Sequence, residues 1–142
     1  MLDIQATGKQ VSLEHLQSIH SAKTGALIKA SVLCGAYCGA DANTASSGSA
    51  LTALNLYADN IGLAFQIMDD ILDETSDTKT LGKQAGADRA LDKSTYPQLL
   101  GLQESRALAE KLLQEALESI EPISDNTDPL KHLAERVVTR VY

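Results

Sequence analysis

Gly62-Leu-Ala-Phe-Gln-Ile-Met-Asp-Asp-Ile-Leu-Asp-Glu74 ends an apolar helical run with three aspartates, Asp69, Asp70 and Asp73. Each residue of an α-helix turns roughly 100° about the axis. With Gln66 as the origin, the three aspartates fall within an arc of roughly 100° around it. Phe65, Met68, Ile71 and Leu72 fall on the opposite side, so the spacing predicts one face of carboxylates and an amide and another of core. Like charges at i,i+3 and i,i+4 cost a few tenths of a kcal/mol per pair. They also sit at the C-terminal end of the helix, where the backbone dipole favours cations. Water, a metal ion or a positively charged partner would relieve both conflicts.

Working upstream, Leu51, Leu54, Ala58, Ile61, Phe65, Met68 and Leu72 extend the same stripe. The helix is predicted to start at Thr44, Ser46 or Ser47 and to run to about Glu74. Asp41 to Ser49 reads as a small polar loop. Before it, Ser12 is a plausible N-cap for a helix whose apolar positions are Leu16, Ile19, Leu27, Ala30, Leu33, Cys34 and Tyr37. His20 and Lys23 interrupt that stripe, and Lys23 either snorkels to solvent or is aimed into a site. Residues 1–10 read as the tail of an earlier element.

Downstream, Thr75 to Lys93 is the least helical part, and is either a solvated connector or a functional flap. Ser94 or Thr95 can cap a short helix with Pro97 in its first turn, and Gly101 breaks it. From Leu102 to Glu121, Leu108, Leu112, Leu113, Ala116, Leu117 and Ile120 form a stripe opposite Arg106, Glu110, Lys111 and Glu115. Pro122 ends it. Asp128-Pro129 signals an N-cap for a last helix through Leu130, Leu133, Val137 and Val138. Neither an internal repeat nor strand-like alternation is visible, so the fold class is all-α.

The 142 residues suit a single domain, and 44% hydrophobic content fits a globular chain. With one Phe, no Trp and 4% aromatics, the core must be aliphatic. A net charge of −7 argues against a nonspecific nucleic-acid binder. It leaves room for a phosphate ligand, because local lysines and a metal ion can reverse the sign of a site. Cys34 and Cys38, at i,i+4 on a helix, are badly oriented for a disulfide and read as reduced packing residues in a reducing compartment. No signal peptide and no membrane span is evident.

Asp69, Asp70 and Asp73 are hard oxygen ligands suited to Mg²⁺, Mn²⁺ or Ca²⁺. Read alone, the triplet is equally an acidic helix end exposed to water. Lys23 and Thr24 upstream and Lys83 and Lys93 downstream add the point charges and the hydroxyl that a metal–diphosphate site needs.

At this point a resemblance becomes specific. Gly62-Leu-Ala-Phe-Gln-x-x-Asp-Asp-Ile-Leu-Asp resembles the second aspartate-rich motif of the trans-isoprenyl diphosphate synthases. Leu81-Gly-Lys-Gln-Ala-Gly-Ala-Asp88 and Asp92-Lys-Ser-Thr-Tyr-Pro97 follow at that family's spacing. Lys23-Thr24-Gly-Ala-Leu27 resembles its Lys-Thr segment, and Leu2-Asp3-Ile4 the end of its Gly-Gln-x-x-Asp stretch. The detail is most similar to the bacterial farnesyl diphosphate synthase, or geranyltranstransferase, branch.

The resemblance implies a helical bundle of the isoprenoid synthase type, with about five helices, of which residues 1–142 are the C-terminal half. It implies prenyl transfer from an allylic diphosphate, dimethylallyl or geranyl, to isopentenyl diphosphate, assisted by Mg²⁺ in the cytoplasm. Asp69 would be the direct metal ligand, with Asp70 and Asp73 binding directly or through water. Gln66 would face the allylic substrate, Lys83 its diphosphate, and Lys93 the diphosphate or its support. Lys23 and Thr24 would sit near the ionising carbon.

The family's first aspartate-rich motif and its basic isopentenyl-diphosphate site have no counterpart here. The chain is therefore expected to be inactive alone and to self-associate through exposed apolar helix faces, as a homo-oligomer. Two alternatives remain open: a non-catalytic helical subunit of a heteromeric prenyl synthase, and a helical module that binds divalent cations without diphosphate.

Overall fold

The computed structural model describes residues 12–39, 48–75, 94–123 and 126–140. The elements are α1 (Leu13–His20), a π-helical turn (Ser21–Gly25), α2 (Ala26–Gly39), α3 (Gly48–Thr75), α4 (Tyr96–Leu100), α5 (Leu102–Ile120) and α6 (Asp128–Thr139). The first three run on without a gap, so the described residues hold five continuous helical runs and no strand. The all-α expectation stands. The expected helix starts at Thr44, Ser46 and Ser47 lie outside the described residues, as do residues 1–10, Lys83 and Lys93.

The central element is α3. Its 28 residues are long enough, at 1.5 Å per residue, to cross the domain. Two aliphatic clusters lie along it. Ala64, Ile67, Met68 and Ile71 join Leu16 of α1, Tyr96 of α4 and Ala109 and Leu112 of α5. One end further on, Tyr57 and Ile61 join Ala116 and Ile120 of α5 and Ala134 of α6. The Tyr57 hydroxyl donates to the Leu130 carbonyl at 2.7 Å, tying α3 to α6. Small residues (Ala64, Ala109, Ala116, Ala134) are fully buried at these seams, which lets the helix axes come close.

Chain punctuation follows local chemistry. The Ser12 side chain accepts from the His15 N–H at 3.3 Å, the expected N-cap. Gly101 takes φ 88°, a left-handed value that glycine adopts without strain, and turns the chain from α4 into α5. The stripe predicted for α5 is buried or half-buried, and Arg106, Glu110, Lys111 and Glu115 face solvent.

Three expectations need correction. Asp128 is the first residue of α6 rather than its cap; Thr127 holds the cap position, and the Asn126 side chain accepts the Asp128 N–H at 3.0 Å. Leu133 is exposed while its neighbour Ala134 is buried, so the inner face of α6 lies one residue on.

The third correction concerns the first helix. A π turn closes i→i+5 and places about one extra residue in the coil. Up to it, Leu16 and Ile19 are buried as expected; after it the inward positions are Gly25, Ile28, Lys29, Val32, Leu33 and Ala36. Much of the predicted stripe is thereby turned outward: Leu27 and Tyr37 are 69% and 62% exposed and Ala30 and Cys34 are exposed, while Leu33 stays half-buried; Cys38 beside them is exposed too. The two cysteines are free thiols, as expected, but not packing residues.

Candidate functional site

The polar face expected on α3 divides in two. Gln66 and Asp70, one turn apart, are only 8% and 9% exposed and point into the protein. Asp69 and Asp73, also one turn apart, form a second edge; Asp73 is half-buried and the Asp69 side chain is 56% exposed. Phe65, expected in the core, is half-buried beside Asp69 instead.

Asp70 has a specific partner on that inner side. Its Oδ2 accepts the backbone N–H of Tyr96 at 3.0 Å. Tyr96 is the first residue of α4, and Thr95 before it is extended and makes no side-chain cap. A carboxylate 26 residues away in sequence thus does the work of the cap that Ser94 or Thr95 is expected to provide. Burial, and after it the Asp70 charge, push the Tyr96 phenol well above the usual tyrosine range, so it stays neutral. The His20 ring lies 5.6 Å from the Tyr96 ring, centroid to centroid.

Asp69 faces Arg140. The guanidinium Nη2 donates to Asp69 Oδ1 at 3.3 Å and to the Phe65 carbonyl at 3.1 Å. Its carbon stands 4.2 Å above the Phe65 ring centroid, a cation–π contact. No expectation from the sequence gives Arg140, the C-cap residue of α6, a role. Nothing local marks it, because the contact spans 71 residues.

Lys23 and Thr24 lie in the π turn, Lys23 exposed and Thr24 half-buried. The turn is brought against α3 by two glycines. A Cβ on Gly62 would come 2.9 Å from the Gly25 Cα, so the two backbones touch where neither residue has a side chain. Gly62 precedes Asp69 by seven positions, about 10 Å along the axis. The fold therefore brings the Lys23–Thr24 turn and the aspartate edge to one region of α3.

Among the described residues no group of three or more His, Cys, Asp or Glu side chains is placed to share a metal ion. That agrees with the division of the triplet. Two carboxylates one turn apart still fit Mg²⁺, which is commonly held by one or two carboxylates and completes its shell with water and phosphate. No helix among the described residues is long and apolar enough to cross a membrane.

An aliphatic all-α bundle organised around one long helix with a carboxylate edge is the class of protein seen here, and comparison with known proteins narrows it. Residues 1–134 match the family model described as polyprenyl synthetase. The chain is 46% identical over 142 residues to the farnesyl diphosphate synthase of Escherichia coli, across 98% of this chain and 46% of that protein. The Pyrococcus horikoshii geranylgeranyl pyrophosphate synthetase superposes with a TM-score of 0.80 at 25% identity, over 99% of this chain and 53% of that one. The Helicobacter pylori geranyltransferase, solved with magnesium and isoprenyl diphosphate, superposes with a TM-score of 0.71 at 28% identity, over 96% of this chain and 43% of that one.

The chain belongs to the polyprenyl synthetase family, as its motifs imply. It spans about half or less of the length of the relatives it matches.

Proposed function

We propose that residues 1–142 are the C-terminal half of a trans-prenyltransferase domain that joins isopentenyl diphosphate to dimethylallyl or geranyl diphosphate, giving a farnesyl-type product. The observation that carries the reading is the Gly25–Gly62 contact, which sets the Lys23–Thr24 turn beside the helix that ends in the exposed Asp69 edge.

Asp69 and Asp73 would hold Mg²⁺. When bound, the ion would offset the negative charge that gathers on the departing diphosphate. Lys83 would pair with the same diphosphate, with Lys93 supporting it. Thr24 offers a hydroxyl to the bridging oxygen. Lys23 would offer a backbone carbonyl to the allylic cation from the π turn, a rare helical form that is frequent at functional sites. Gln66, on the inner side of α3, would orient the allylic substrate. The aliphatic helix faces would keep water from the cation until a proton is lost.

The outward face of α2, with Leu27 and Tyr37, supports self-association of the isolated chain, read by sedimentation as a species heavier than a monomer. The free Cys34 and Cys38 accord with a cytoplasmic setting.

The test is calorimetric titration of the chain with inorganic diphosphate, with and without Mg²⁺. Binding is expected only with Mg²⁺ and is expected to vanish in Asp69→Ala. Binding that ignores both the metal and the substitution would sink the reading.

A further inference from the structure

Asp70 belongs to the same triplet as Asp69 and Asp73 but not to the same surface. It is buried where Asp69 is exposed, and one of its oxygens is already committed to a backbone N–H. A hard divalent ion needs open lone pairs and room for its waters. Asp69 also gives one oxygen to Arg140, but its side chain is 56% exposed and leaves room for waters, whereas Asp70 is buried under α4.

The Asp70–Tyr96 bond has a geometric consequence. The seam between α3 and α5 is aliphatic at Ala64, Ile67, Ile71, Ala109 and Leu112. Dispersion contacts of that kind are non-directional and allow a helix some rotation about its axis. A charge-assisted hydrogen bond is directional. Asp70 and Asp69 are separated by roughly 100° on the helix, so fixing the first fixes where the second points. Through Gly101, α4 is joined to α5, the helix that packs along α3.

We propose that Asp70 is the positioning residue of the aspartate cluster: by capping α4 through the Tyr96 N–H, it locks α3 in the rotation that presents Asp69 and Asp73 together. It acts through its neighbours and not as a metal ligand. The inference rests on the metal-binding reading above. The Tyr96 hydroxyl has no part in it, since that atom is buried without a hydrogen-bond partner.

The amide of Asp70→Asn can accept the same N–H but is a poor ligand for a hard cation, so this variant separates the two roles. The probe is Mn²⁺, followed by loss of its free-ion paramagnetic resonance signal on adding the 142-residue chain, with thermal unfolding measured in parallel. Asp70→Asn is expected to stay within about threefold of wild-type affinity, and Asp70→Ala to lose about tenfold or more, the range seen when the supports of metal ligands are removed. Asp69→Asn should abolish uptake, and Tyr96→Phe should change neither uptake nor unfolding.

If Asp70→Asn loses Mn²⁺ as completely as Asp69→Asn while its unfolding is unchanged, Asp70 is a ligand and the inference is wrong. If folded Asp70→Ala binds as wild type does, no positioning occurs and it is again wrong. Should Asp70→Ala not fold, the comparison of the two asparagine variants decides alone. Wild-type protein that takes up no more Mn²⁺ than Asp69→Asn would overturn the metal-binding reading itself, and this inference with it.

Discussion

Two flanks of α3 are built differently. Against α5 and α6 it buries Ile61, Ile67 and Ile71 among alanines and leucines, and Tyr57 reaches across to the Leu130 carbonyl. Against the π turn and α2 it makes a glycine-to-glycine contact, packs the half-buried Val32 beside Tyr57 and Ile61, and forms an ion pair, Lys29 to Asp59 at 2.8 Å, whose side chains are 35% and 56% exposed. Beyond that pair, the outer face of α2 leaves Leu27 and Tyr37 in solvent. The first flank is held mainly by buried area, and the second by a smaller apolar contact and closeness of fit. The scaffold and the turn proposed to act on substrate therefore draw on separate sources of stability.

Substitutions should sort along this division. Ile67→Ala, on the aliphatic flank, removes a fully buried side chain and is expected to cost about 3 kcal/mol in urea unfolding, with the loss spread over all helices. A cost below about 1 kcal/mol would mean that the seam can collapse to fill the space. Gly62→Ala attacks the other flank. Its methyl must push two backbones apart, and a cost of about 2 kcal/mol is expected. Hydrogen exchange should then accelerate across residues 21–39 while α5 stays protected. Uniform acceleration would show that the two flanks unfold as one unit.

A smaller effect is expected from Tyr57→Phe. At neutral pH it leaves the Leu130 carbonyl without its donor and should cost about 1 kcal/mol. Burial raises the Tyr57 phenol from 10.0 to about 12. A phenol that ionises later in the folded state contributes stability that is intact below the unfolded value. That stability declines as pH rises from 10.0 to about 12 and is gone above it. The fall over that window should be shallower in Tyr57→Phe; Tyr96, shifted in the same sense, keeps it from vanishing. Smallest of all is Lys29→Ala. A half-exposed ion pair contributes about 0.5 kcal/mol or less, and adding salt should erase even that.

Much of the scaffold was legible because α3 and α5 bury stripes with the 3.6-residue period, and because Ser12, Pro97 and Gly101 punctuate helices by strong local rules. The region of the candidate site is marked in the sequence too, since carboxylates at the wrong end of a helix advertise an unmet electrostatic need. The division of the triplet was not. A helical wheel places Asp69 and Asp70 on one arc, and only the position of α4 decides that one is covered and the other open. The π turn escaped because no residue pattern at a five-residue step announces it. Arg140 escaped because its partners are set by the path of the whole chain.

The π turn has one more consequence, for insertions and deletions rather than substitutions. In a helix, one residue is worth roughly 100° of rotation. Removing a single residue between Ser21 and Gly25 would let the coil close as an ordinary α-helix and leave Leu16 and Ile19 in the positions at which both are now 3% exposed, because the wide turn covers little more rotation than an α turn one residue shorter. The wide turn absorbs the extra residue between two stretches of one helix, so that the core contacts of α1 and the backbone contact at Gly62 are met at once. A chain can therefore lose the one residue that this turn absorbs and keep its facing, whereas the loss of a second would re-face everything before it by roughly 100°.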